Sequence, residues 1–180
     1  MICFCDIPLS KSKSQRLAYG DFVIGLTKDW GVRSGLNPVM YVSAKSELAK
    51  SLSDKFCCNF SDGKLLASDF GDFWPMLPYL KPVQGFQKSG SHSEFKSFEQ
   101  EMEWRFVPDN WRNLIESRAS DERTKTEKRK QNDAVFHIQL KFNPSDIEIV
   151  IVKTLGQRKA LHKIQPALRG KVKLWSKIRW

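Results

Sequence analysis

The segment Ile147-Glu148-Ile149-Val150-Ile151-Val152 constrains the fold more than any other stretch of this chain. Five of its six residues are β-branched and apolar, side chains that pack well on a pleated surface. A nearly continuous apolar run of this length predicts a strand buried on both faces, and therefore a central one.

Other strands are predicted around it. Ile2 and Phe4 open the chain in extended form, ending before Pro8. Tyr19 to Leu26 is apolar, β-branched and bracketed by glycines, and Val39 to Val42 follows Asn37-Pro38. Met102, Trp104 and Phe106 alternate with Glu101, Glu103 and Arg105, and Phe136, Ile138, Leu140 and Phe142 alternate with polar residues. Period-two alternation predicts half-exposed strands in both places.

Helix signals are fewer. Ser43 is the expected N-cap of a helix carrying Ala44, Leu48, Leu52 and Phe56 on one stripe. Residues 153–180 form an expected basic helical region, broken at Pro166, with Leu168, Val172, Trp175 and Ile178 facing inward. Lys28 to Gly31 is an expected turn, and Ser61 to Gly85 irregular aromatic packing with a short helix before Lys81-Pro82. Ser89 to Ser97 and the charged residues 118–132 are expected loops. Strands mixed with segregated helices predict α+β, a single domain over residues 1–180 with a mostly antiparallel sheet and helices packed on it.

The 180 residues include 41% hydrophobic ones, with 12 Phe and 6 Trp, enough for a core. A chain this long buries roughly 70% of its unfolded surface on folding. No apolar run reaches the roughly 18 residues of a transmembrane helix, and the first residues lack the pattern of a signal peptide. A cytoplasmic location without membrane contact is therefore expected. There the four cysteines stay reduced. Cys3 and Cys5 share a strand face, whereas Cys57 and Cys58 are adjacent, and neither spacing suits a metal. Buried, inert thiols and no cofactor are the expectation.

Net charge is +10, and its distribution is informative. From Lys153 to Trp180 there are nine Lys and Arg and no Asp or Glu, with Trp175 and Trp180 interleaved. Such a surface attracts phosphate backbones or an acidic protein. Lys171, Lys173, Lys177 and Arg179 are the candidate contacts to nucleic acid or a partner. A solvated basic helix accounts for the same pattern.

Chemistry has one main candidate. Carboxylates at i and i+2 on a strand share a face about 7 Å apart, so Glu101 and Glu103 can act on one substrate. Arg105 beside them favours their ionised forms. Spacing alone fits an ion-pair row on the wet face of a sheet better. Tyr19, Gly20 and Tyr41 are candidate ligand contacts, a ring next to open backbone suiting a flat ligand. Asp6 is an expected turn residue, and the three histidines lack supporting partners. No phosphate-binding loop, nucleophile elbow or metal-ligand helix occurs.

Several of these segments carry a family resemblance. Ile2-Cys3-Phe4-Cys5-Asp6-Ile7-Pro8-Leu9-Ser10, Tyr19 to Lys28 and Gly35 to Val42 resemble the AbiGi abortive-infection family. Lys81-Pro82, Glu101 to Pro108 and Leu140 to Ile147 continue the resemblance in order. It implies phage defence, as the antitoxin of a pair whose toxin is nucleotidyltransferase-like. Such proteins carry a segment ahead of the Cys-Phe-Cys-Asp-like motif that this chain lacks, which implies either a shortened version or a start assigned too late. Glu101-Met102-Glu103 is also similar to the Glu-x-Glu of ADP-ribosyltransferases. That similarity implies NAD as cofactor, with Glu103 stabilising the developing positive charge and Glu101 orienting the acceptor, a nucleic acid or protein.

Overall fold

A computed structural model describes residues 1–12, 16, 19–57, 73, 75–89, 92–108, 133 and 138–178. Side chains of residues 55–57, 88, 89 and 92 are not described. The expected loop 118–132, the alternating residues Phe136 and His137, the vicinal Cys58, and Arg179 and Trp180 lie outside the described residues.

The fold is α+β, and most of its strand pairs are antiparallel. The chain forms two compact units, each assembled from separated segments. Unit 1 comprises Met1–Cys5 and Asn37–Gln139, and unit 2 comprises Asp6–Leu36 and Leu140–Trp180.

In unit 2, strand β2 (Val23–Leu26) is followed by helix α1 (Lys28–Arg33). Strand β9 (Ile147–Val152), helix α3 (Leu155–Ile164) and strand β10 (Val172–Leu174) complete its regular elements. The sheet order is β10-β9-β2, so the apolar run is the central strand, as expected. Ile151 and Val152 are fully buried. Val150, Val152, Leu168, Val172 and Leu174 form the core, with Leu161 of α3 packed on it. Gly25 of β2 lies so close to Ile149 that an added Cβ would stand 2.7 Å from its Cγ2.

Four expectations fail in this part of the chain. Lys28 to Gly31 is not a turn but most of α1, because Thr27 caps it by accepting the Trp30 N–H. Asp29 and Arg33 sit at the ends that suit their charges. The expected last helix is instead a parallel strand at Val172–Leu174 and a short 3-10 turn at Trp175–Lys177. The apolar edge of β9 needed a second neighbour, and Val-Lys-Leu supplies alternation as well as helical spacing. Helix α3 between them is closed by a capping box, Thr154 with Gln157. Residues 138–142 also differ from the expected strand. Instead of entering a ladder, the Lys141 carbonyl accepts the Trp30 indole N–H at 3.0 Å, and Phe142 meets the Trp30 ring edge-on. Asp6 pairs with Lys28, not with its own turn.

In unit 1, strand β1 (Ile2–Cys5) pairs antiparallel with β8 (Glu103–Phe106), whose other neighbour is β3 (Asn37–Pro38). Strand β4 (Met40–Val42) runs parallel to β5 (Leu80–Pro82), with Tyr41 opposite Lys81. The expected strand Val39–Val42 is thus β4 from Met40 onward, and Asn37-Pro38 ahead of it pairs in a different sheet. Between β4 and β5 lies helix α2 (Glu47–Cys57). Its cap is Ser46, whose Oγ accepts the Ala49 N–H, and not Ser43, whose carbonyl accepts from Ser46. The expected loop Ser89–Ser97 is half of a hairpin, β6 (Gln84–Ser89) with β7 (His92–Ser97). Phe86 and Phe95 meet across it edge-to-face at 5.2 Å, a cross-strand pair that stabilises a hairpin.

Candidate functional site

The Glu101–Arg105 segment is where structure and expectation diverge most usefully. Glu103 and Arg105 do share one face of β8, but that face is buried, and so is Glu101. Glu101 does not extend the strand. It ends a 3-10 turn at Phe98–Glu101, and Met102 then adopts a left-handed conformation with φ 44° and ψ 53°. A bulky residue takes that region only where the surroundings demand it. Here the kink turns Glu101 and Glu103 toward one lysine.

That lysine is Lys81 of β5. Its ammonium donates to Glu101 Oε2 at 2.7 Å and to Glu103 Oε2 at 2.6 Å. Lys96 of β7 donates to Glu101 Oε1 at 2.5 Å. Arg105 donates through Nε to Glu103 Oε1 at 2.7 Å and more weakly through Nη2 to Oε2 at 3.3 Å. Its Nη1 donates to the Pro78 carbonyl. Every carboxylate oxygen of the pair therefore receives a cationic donor. The Glu103 N–H donates to the Tyr41 hydroxyl at 2.9 Å, so this tyrosine braces the strand. The Lys81 ammonium also lies 4.8 Å from the Phe98 ring centroid, a cation–π contact.

The ionisation states follow from this wiring. Burial pushes the Glu103 carboxyl up, but hydrogen bonds from Arg105, Cys3 and Lys81 outweigh it and hold it down at about 2. Burial opposes ionisation of Glu101 too, and Lys81 and Lys96 together bring it below its ordinary value. Lys81 moves upward because the two glutamates overcome the effect of its burial. These directions keep Glu101, Glu103 and Lys81 charged at neutral pH, and neither glutamate is poised to exchange a proton.

Cys3 and Cys5 stand opposite Arg105 and Glu103 across the β1–β8 ladder, which places both thiols on the network's face. The expectation of buried cysteines is corrected: both are exposed, on an edge strand. Desolvation, reinforced by the Glu103 carboxylate, lifts the Cys3 pKa to about 11, far from that of a nucleophilic cysteine. Among the described residues no His, Cys, Asp and Glu cluster could hold a metal ion.

Of the predicted site residues, the structure joins Glu101, Glu103, Arg105 and Tyr41. Tyr19 and Gly20 belong to unit 2, where Tyr19 is exposed and Gly20 has φ +102°. Sequence reasoning missed Lys81 and Lys96. Lys81 had one usable signal, its place beside Pro82 in a segment of the family resemblance; Lys96 had none.

The basic candidates divide as well. Lys171 is not a free cation, because its ammonium donates to the Pro144 and Ile147 carbonyls at 2.8 and 2.5 Å. Lys173 and Lys177 are exposed. Trp175 is no platform for a base: it is buried, its indole N–H donates to the Asp21 carbonyl at 2.6 Å, and Arg16 covers its ring.

Among the described residues no helix is long and apolar enough to cross a membrane. Residues 1–153 match a family described as abortive phage resistance protein AbiGi, antitoxin. A Lactococcus lactis subsp. cremoris protein named abortive phage resistance protein AbiGi is 28% identical over 201 residues, covering 95% of this chain and 78% of that protein. No solved structure matches. With the match running from β1 through the ionic network to the end of β9, the chain belongs to the AbiGi family of abortive phage resistance proteins.

Proposed function

We propose that this protein is the antitoxin of a two-component phage-defence module and acts by binding a cognate toxin of nucleotidyltransferase type. The family description supports this reading, since it names an antitoxin over residues 1–153. The observation that carries it further is the saturation of Glu101 and Glu103. Four carboxylate oxygens facing Lys81, Lys96 and Arg105 make a brace that ties β5, β7 and β8 together. A braced scaffold suits a binding protein. A transferase would need at least one of these glutamates open to a substrate, so the geometry does not favour the NAD-dependent reading.

The test is growth rescue. Expression of the toxin encoded beside this gene should arrest growth, and co-expression of this chain should restore it. The purified pair should also co-elute. If cells stay arrested while the chain accumulates in folded form, the antitoxin reading fails. NAD should leave the melting temperature unchanged. A stabilisation by NAD that disappears in Glu103→Ala would move the assignment to the transferase.

A further inference from the structure

The two faces of the β6–β7 hairpin have different surroundings. Gly85 and Lys96 stand opposite one another on the inner face and join it to the rest of unit 1. A Cβ added to Gly85 would lie 3.0 Å from the Phe98 ring, and Lys96 is tied to Glu101. Gln87 and Glu94, the next pair on that face, are both exposed. Among the described side chains, burial therefore ends at the base of the hairpin.

The outer face carries Phe86 and Phe95, 73% and 55% exposed. Their edge-to-face contact steadies the strands, but a pair of Thr or Val would do so without showing two rings to water. A two-stranded hairpin is marginal by itself, and covering its apolar face is what stabilises one. Among the described side chains, Gln84, Ser93 and Ser97 surround the rings on this face, and none of them is charged.

Charge and area decide what covers it. Unit 1 has fifteen Lys and Arg against fifteen Asp and Glu. That balance does not draw in a phosphate backbone, whose affinity comes from an excess of cations. Two rings inside an uncharged polar rim are instead the pattern of a protein contact, where aromatic anchors carry most of the binding. A second copy is disfavoured by area. Twofold symmetry sets the patch against itself, and strands of six residues offer a face of about 20 by 10 Å. A stable interface takes roughly 800 Å² from each partner. A cleft that closes around the rings, the outer strand edges and the exposed Gln87 and Glu94 covers more than a flat contact does. The antitoxin reading supplies a protein to present that cleft, and the hairpin lies inside the matched residues 1–153.

We propose that β6–β7 is the element the cognate toxin grips, with Phe86 and Phe95 seated in an uncharged, apolar cleft of that protein. The proposal rests on the antitoxin reading and names the surface that performs it. The Lys96–Glu101 ion pair and the Gly85–Phe98 contact fix the base of the hairpin, so the rings are held ready for the partner.

The experiment is calorimetric titration of the full chain with the purified toxin encoded beside this gene. Phe86→Thr should weaken binding about 30-fold, and Phe86→Thr/Phe95→Thr about 100-fold or more. Gln87→Ala, on the inner face, should stay within about twofold. Urea midpoints of Phe86→Thr and Gln87→Ala should match that of the unaltered chain, because both positions are exposed. If the double variant loses its hairpin, Phe86→Thr alone carries the test. Unchanged affinity in Phe86→Thr, or an equal loss in Gln87→Ala, would overturn the proposal and leave the antitoxin reading standing. An unaltered chain that does not bind the toxin ends both. Self-association seen by light scattering, or binding to a labelled single strand, that Phe86→Thr abolishes would assign the rings to a second copy or to nucleic acid, and the proposal would fall.

Discussion

Unit 1 and unit 2 use charge in opposite ways. Unit 1 has equal numbers of acids and bases and draws five of them, Glu101, Glu103, Lys81, Lys96 and Arg105, into one network around β8. Unit 2 builds its centre from aliphatic strands and leaves its excess of Lys and Arg at the surface. A buried pair must meet partners in fixed geometry or lose its hydration without compensation. It therefore specifies where strands lie. An exposed cation specifies almost nothing about the fold, because water solvates it in any arrangement. The same residue types thus fix geometry in one unit and are available to partners in the other.

The largest test of that contrast is Glu103→Ala. It deprives Arg105 of its carboxylate and Lys81 of one of two, and a stranded buried charge costs about 3–5 kcal/mol. The urea midpoint should fall accordingly, with amide protection lost in β8. A loss below about 1 kcal/mol would mean that the network behaves like surface charge. In unit 2 the comparable lever is apolar. Ile151→Ala should cost about 2–5 kcal/mol through lost burial and the cavity left behind, whereas Lys173→Gln on the adjoining strand should stay within about 0.5 kcal/mol. Equal costs for those two would remove the distinction between core and surface in this unit.

Acid should act on the network next. Glu103 has a folded pKa of about 2, below its ordinary 4.5, and Glu101 is shifted in the same direction. Both favour the folded state when ionised. Their contribution is complete above about pH 4.5 and is lost as pH falls toward 2. Urea midpoints measured across that window should decline, and more gently in Glu103→Gln. A decline equally steep in that variant would place the titration elsewhere. The smallest effect expected is at the start of α2. Ser46→Ala should cost about 1 kcal/mol and Ser43→Ala almost nothing, a difference readable in thermal melts.

Much of the secondary structure was legible because it depends on local pattern. The β-branched run at 147–152, the alternation at 103–106 and the stripe along α2 each identify their element without outside help. Failures came where a distant partner chose between two compatible readings. Val172 to Leu174 fits helix or strand, and the open edge of β9 decided for strand. Ser93 to Lys96 looked like a loop because it is polar, yet Phe95 found Phe86 and Lys96 found Glu101. Parity at Glu103 and Arg105 was readable, but which side met solvent was not. Alternation reports two faces without saying which one is covered.

From its order of residues alone, this chain determined its class, its central strand, its family and the accumulation of positive charge toward its end. Those properties need only neighbours within a few positions or a count of charges. Tertiary structure decided that the acidic pair lies inside, that Lys81 and Lys96 neutralise it, and that Lys171 and Trp175 are structural. Each of those depends on groups distant in sequence reaching hydrogen-bonding distance, and no local pattern records such a meeting.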